Sequence, residues 1–117
     1  MKKLAIFPLP IVLLPGELLP LRIFEARYLD MVASCLRDQK PFVLTPMLDR
    51  QRSEPSINPI GTTAEITGWN KKESGSLYIL VEGIQKVELL NPKSEANGLM
   101  VGQVQESNDL DSIPDPK

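Results

Sequence analysis

The sequence has no histidine and a single cysteine, Cys35. Without histidine there is no Ser-His-Asp or Cys-His catalysis and no His-ligated metal site. One cysteine allows neither a disulfide framework nor a paired-thiol motif. Neither a GxxxxGK(S/T) nor a GxGxxG stretch occurs, which removes the two commonest nucleotide-phosphate cradles. The apolar runs are a few residues long, far short of the ~20 that a membrane-spanning helix needs. A large charge of one sign is also missing. The 15 acids against 13 bases leave −2, which excludes a strongly cationic nucleic-acid binder. Lys2 and Lys3 ahead of Leu4-Ala5-Ile6-Phe7 look like the start of a signal peptide, but Pro8 and Pro10 interrupt it and no small-residue cleavage site follows. The chain is therefore expected to be cytoplasmic, away from membranes, non-enzymatic and without cofactor or metal.

What is present is an ordinary globular balance, 42% apolar and 24% charged over 117 residues, enough for one core and too little for two. Proline is abundant, 11 residues, about twice the usual ~5% share. Four of these, Pro8, Pro10, Pro15 and Pro20, stand among leucines, isoleucines and valines in the first twenty positions. Proline has no amide donor, so this segment must be edge strand and extended loop, bent at Pro15-Gly16. Ile11, Val12, Leu13, Leu14, Leu18 and Leu19 are too apolar to lie wholly in water. Either they pack onto the domain or they offer apolar surface to a partner.

Periodicity supplies the elements. Residues 3–9 and 17–24 suit two strands. From Glu25 the period changes, and Tyr28, Leu29, Val32, Cys35 and Leu36 form the stripe of an amphipathic helix of roughly four turns, ended by Lys40-Pro41. Residues 42–48 are a nearly continuous apolar run, expected to be a strand buried on both faces. Residues 49–59 are polar and proline-punctuated, expected to be a mobile surface loop. Ile60, Thr62, Ala64 and Ile66 alternate as a half-buried strand; 70–75 is a hairpin turn; Leu77, Ile79 and Val81 share one face. Gly83 within that strand marks a bulge or bend. Asn91-Pro92 and Asn97-Gly98 bracket a turn before a last strand over 99–105. The sum is about six strands and one long helix, a small mixed β-barrel of the α+β class with the helix between strands 2 and 3. The domain is expected to span 1–105. Residues 106–117, with four acids against Lys117, are expected to be an acidic flexible tail or the stump of a linker.

The segment from Phe7 to Tyr28, with its PLP, LPG and LRIFEARY pieces, resembles the opening of the N-terminal substrate-binding domain of Lon protease, and especially small stand-alone proteins carrying that domain. Pro41-Phe42-Val43, Ile60-Gly61-Thr62-Thr63-Ala64-Glu65-Ile66 and Leu80-Val81-Glu82-Gly83-Ile84-Gln85-Lys86-Val87 follow in the same order. The resemblance covers roughly residues 4–105. One departure is Lys86 where the family usually has arginine, which keeps the charge and loses the planar fork. Family members also continue into a helical subdomain, whose absence would leave apolar surface bare. The resemblance implies a PUA-like barrel, recognition of unfolded or damaged protein segments, and a separate ATP-dependent protease as a further partner.

Against that background Ile11, Val12, Leu13, Leu14, Leu18 and Trp69 are the candidate protein-binding residues. Aliphatic loop residues suit ligands that share only apolarity and extended backbone. The competing account is that the loop plugs one barrel end, with Leu13 and Leu14 the side chains most apt to protrude. Trp69 suits an interface anchor and a barrel-end cap equally. Arg22, Glu25 and Arg27 suit an ion pair fixing the helix start to the sheet better than a carboxylate clamp. Cys35, on the apolar stripe, suits an inert small hydrophobe. Arg50, Arg52, Lys71 and Lys72 would make only a modest basic patch, so nucleic acid is not the expected partner. An RNA-binding or adaptor module of the same barrel class stays open, as does a homodimer closed over bare apolar surface.

Overall fold

The computed structural model describes residues 2–49 and 56–107. In chain order the elements are β1 (Lys2–Leu9), β2 (Leu18–Ile23), α1 (Ala26–Asp38), β3 (Phe42–Asp49), β4 (Ser56–Ile57), β5 (Ile60–Lys71), β6 (Leu77–Ser94) and β7 (Met100–Glu106). Strand pairing closes a circuit: β1 lies beside β7, β7 beside β6, β6 beside β5, β5 beside β3, and β3 returns parallel to β1. The mixed α+β class, with the helix between strands 2 and 3, stands. β2 lies outside the circuit and, among the described residues, pairs with the first third of β6.

Two apolar clusters hold this arrangement. Leu4, Ile6, Val43, Val87, Leu89 and Val104 come from four of the five circuit strands. The second joins Phe7, Phe42, Leu44, Ile79 and Val81 to Tyr28, Met31, Val32 and Cys35 of α1. β3 serves both clusters, so Phe42, Val43, Leu44 and Thr45 are all buried, as its unbroken apolar run requires.

α1 starts where Glu25 leaves the extended conformation and its carbonyl accepts the amides of Tyr28 and Leu29. It stops at Gln39, whose left-handed backbone (φ 54°) lets its own amide and that of Lys40 reach the Cys35 carbonyl. The stripe is rotated slightly from expectation: Met31 is inside, and Leu36 is 36% exposed.

Three bulges bend the long strands. Ile84 has no partner between Gln85, opposite Thr63, and Gly83, opposite Ala64. Thr67 is skipped between Ile66 and Gly68. Asn91-Pro92, expected to open a turn, instead lies inside β6 as a bulge against β7, with Asn91 at φ 52°. The pairing gap there absorbs proline's missing donor, so only Asn97-Gly98 makes the turn. Part of the expected 49–59 loop is also ordered, because Ile57 pairs with Met47 and Ser56 with Asp49. Arg50 and Arg52, and the tail beyond Ser107, lie outside the described residues. Glu106 closes β7, where its carboxylate accepts the Gln85 side-chain amide at 2.6 Å.

β2 shows how a proline-rich segment becomes a strand. The Gly83 amide donates to the Glu17 carbonyl at 2.9 Å. That sets the antiparallel phase, in which residues 19, 21 and 23 bond to β6 and 18, 20 and 22 turn their backbones to the open edge. Pro20 therefore forfeits no ladder bond, and it interrupts the edge as a template for further strands.

Candidate functional site

The loop between β1 and β2 is pinned against β6. Leu14-Pro15-Gly16-Glu17 is a tight turn with proline second, glycine third at φ 89°, and the Glu17 amide donating to the Leu14 carbonyl at 3.0 Å. The Glu17 carboxylate accepts the Leu14 amide at 2.9 Å. The turn reaches β6 through Gly16 N–H to the Gly83 carbonyl, 2.7 Å, and through the Gly83–Glu17 bond. The contact is so close that a Cβ on Gly83 would collide with the Leu14 carbonyl oxygen and lie 3.1 Å from Leu13 Cγ. Only glycine lets the loop lie down here.

Pinning divides the apolar loop side chains. Leu13 is 3% exposed and belongs to the core, and its carbonyl accepts the buried Thr62 hydroxyl at 2.7 Å. The expectation that Leu13 protrudes is thus corrected: the turn rotates it under the loop, against Gly83. Leu14 and Val12 face out, 54% and 66% exposed, with Ile11 less so.

Beside the loop runs a groove of about 730 Å³. Val12, Leu14 and Pro15 form one wall; Ile84, Gln85 and Lys86 stand in the other; Leu44 and Thr62 contribute deeper in. Ile84 enters the groove as the unpaired bulge residue. The groove is mostly apolar, with Asn58, Gln85, Lys86 and Glu106 among the polar residues that also line it. Such a channel can bury aliphatic side chains of an extended chain. Among the described residues no group of three or more cysteine, aspartate or glutamate side chains is placed to hold a metal ion.

The other candidates lie elsewhere. Leu18 stands on the solvent face of β2, and Trp69 on β5 near its end, paired across to Ile79. Neither lines the groove. Arg27 does anchor the helix start, but by a different route from the one expected: its guanidinium donates to the Gly98 carbonyl of the β6–β7 hairpin at 3.1 Å, while Glu25, 3.2 Å away, is only a local partner. Among the described residues Arg22 joins no ion pair, and it lies over the Phe24 ring. Cys35 is buried in the core, and burial pushes its thiol pKa up, with Lys40 nearby opposing and Asp38 adding. Burial likewise raises Tyr28, with Arg27 opposing and Glu25 adding.

Besides Leu36, four exposed apolar positions escaped the sequence: Phe24, Ile84, and Tyr78 and Leu80 on β6. A signal existed for the last two, since Leu77-Tyr78-Ile79-Leu80-Val81 is apolar in both phases of a strand. Ile84 depends on the bulge, which a glycine announces without saying which neighbour is expelled.

Compared with known proteins, residues 3–117 match the sequence model of the ATP-dependent protease La (LON) substrate-binding domain. A solved Lon N-terminal domain protein from Xanthomonas campestris is 33% identical and superposes with a TM-score of 0.80 over 92% of this chain and 61% of its own. Lon protease 1 of Hydrogenovibrio crunogenus is 27% identical over 107 residues, 87% of this chain and 13% of that protein. Protein cereblon of Xenopus tropicalis is 29% identical over 98 residues, 81% of this chain and 21% of that protein. The chain thus spans only an eighth to a fifth of these longer relatives, and about six-tenths of the solved domain protein.

Proposed function

The chain belongs to the family of ATP-dependent protease La (LON) substrate-binding domains, and from that premise we propose that it is a non-catalytic recognition module that captures exposed apolar segments of unfolded or damaged proteins. The observation that carries this is the groove walled by Val12, Leu14 and Ile84, aliphatic side chains held toward water by the Gly83 contact and the β6 bulge. A rigid apolar wall suits a binder of many sequences. Its ligands share methyl groups rather than a pattern of donors, and burial at ~25 cal/mol per Å² acts on any of them. Affinity stays low, because an unfolded ligand must be ordered on binding. Delivery to a separate ATP-dependent protease completes the role.

The test is titration of an unfolded reporter, a reduced and carboxymethylated globular protein, at low and high salt. Binding in the tens of micromolar is expected, changing less than about twofold between 50 and 500 mM salt because counterion release is not the driving force. Val12→Asp with Leu14→Asp should weaken it at least tenfold. ATP hydrolysis and peptide cleavage should be blank. Unchanged binding by the double variant would refute the groove. Steeply salt-dependent binding of a structured RNA, with no reporter binding, would favour an RNA-binding member of the fold.

A further inference from the structure

A second surface lies away from the groove, on the solvent face of the three-stranded sheet β2–β6–β5. The register places three cross-strand rows there. Leu18, Glu82 and Glu65 make one end, Pro20, Leu80 and Gly68 the middle, and Arg22, Tyr78 and Asn70 the other end. Beyond the last row Lys72 sets its ammonium 5.1 Å from the Tyr78 ring centroid. Leu18 is 60% exposed, with Leu80 and Tyr78 about two-fifths exposed. The face is acidic at one end, apolar in the middle and cationic at the other.

Glu65 and Glu82 are directly opposed across the strands, an arrangement that costs stability unless a cation intervenes. Neither forms an ion pair among the described residues, and nor does Arg22 or Lys72.

We propose that this face pairs with the same face of a second copy of the chain. With a twofold axis lying between the copies and running across the strands over the Pro20–Leu80–Gly68 row, the middle rows meet each other. The cationic row of each copy then lies over the acidic row of the other. Such isologous contact requires a face complementary to itself under that rotation, and the reversal of charge about Leu80 supplies it. Glu82 then lies over the Tyr78 ring and the Lys72 ammonium beside it, Glu65 lies over Asn70, and Arg22 lies over Leu18 one strand from Glu82. Cations thus come close to the opposed glutamates, while the exposed Leu18 and Leu80 side chains are covered. Contact is face to face rather than edge to edge, because Pro20 interrupts the open edge of β2.

The size of the patch sets the strength. Three strands at ~4.8 Å spacing and rows spanning ~13 Å along them give on the order of 300 Å² per copy with the side-chain margins, well under the roughly 800 Å² per partner of a stable complex. The dimer is therefore weak and reversible, half-formed at a few hundred micromolar. It weakens as salt rises, since its specificity is electrostatic.

Sedimentation equilibrium of the full chain from about 20 µM to 1 mM tests this, at 50 and 500 mM salt. The expected result is a monomer at the dilute end, mass rising toward twice that value at the concentrated end, and a several-fold weaker association at high salt. Leu80→Lys and Arg22→Glu should each hold the chain monomeric, and Arg22→Glu combined with Glu82→Arg should restore association. Concentration-dependent NMR shifts of the unaltered chain provide a readout independent of variant folding. They should cluster at residues 18–22, 65–70 and 78–82. A monomer at 1 mM, association indifferent to Leu80→Lys, or shifts centred on Val12 and Ile84 instead would each overturn the proposal.

Discussion

Replacing Gly83 by alanine asks whether one missing methyl group holds the candidate groove in shape. The added Cβ would collide with the Leu14 carbonyl oxygen and crowd Leu13 Cγ at 3.1 Å. Because the first obstacle is backbone, the turn at Leu14–Glu17 must lift away from β6. Two backbone hydrogen bonds then stretch, Gly16 to the Gly83 carbonyl and Gly83 to the Glu17 carbonyl, each worth a net ~0.5–1.5 kcal/mol. Leu13, now 3% exposed, loses part of a burial worth about 1.5–3 kcal/mol. Alanine returns only ~0.4–1 kcal/mol by restricting the unfolded chain. Partial loss of both favourable contributions leaves a net destabilisation of about 2–3 kcal/mol, a downward shift of roughly 1–2 M in a urea midpoint. Urea unfolding followed by tryptophan fluorescence measures this, and hydrogen exchange at Gly16 and Glu17 shows where the damage sits. Reporter binding should fall with it, since Val12 and Leu14 no longer face Ile84 at the same distance. A midpoint within 0.3 M of the unaltered protein, with the Gly16 amide still protected, would refute the pinning of this loop by a glycine.

Neighbouring loop leucines should answer oppositely to truncation. Leu13→Ala should cost about 2–4 kcal/mol, whereas Leu14→Ala, removing a side chain already 54% exposed, should cost under about 1 kcal/mol while weakening reporter binding. Equal costs in denaturant would show that the turn does not sort them. Cys35 and Tyr28 predict the alkaline behaviour. Burial raises both groups, so the folded state holds their protons more tightly than the unfolded state. Their contribution is complete below the ordinary thiol and phenol ranges and is lost as pH climbs through and beyond them. Stability should therefore decline from about pH 9 upward, and Cys35 should alkylate at least tenfold more slowly than a cysteine peptide at pH 8. Rapid alkylation in the folded state would contradict its burial.

Much of the fold could be read along the chain because its causes are local. The switch from alternation to a 3.6-residue stripe after Glu25 marked α1, and the unbroken run at Phe42–Thr45 marked a strand serving two cores. Gly83 announced an irregularity in β6. The Pro15-Gly16 bend was legible because proline at the second place and glycine at the third leave few turns. Failures occurred where pairing partners decide. Ser56-Ile57 looked like loop because a two-residue strand has no period to detect. Asn91-Pro92 looked like a turn because an isolated proline reads as a terminator, yet a bulge excuses its missing amide.

The candidate site divides in the same way. That aliphatic side chains of the first loop must either pack or serve a partner followed from composition. That Leu13 packs while Val12 and Leu14 face out did not, because the choice depends on a strand some seventy residues away.

The amino-acid sequence alone determined the class of the fold, the place of the helix and the apolar character of the first loop, since each follows from residue type and spacing. The tertiary structure alone decided which of those apolar groups meet water. It set Ile84 across a groove from Val12 and Leu14, and it left Leu80 exposed beside Pro20 between rows of opposite charge. Exposure is a property of neighbours, and neighbours distant in sequence are fixed only when the strand register closes.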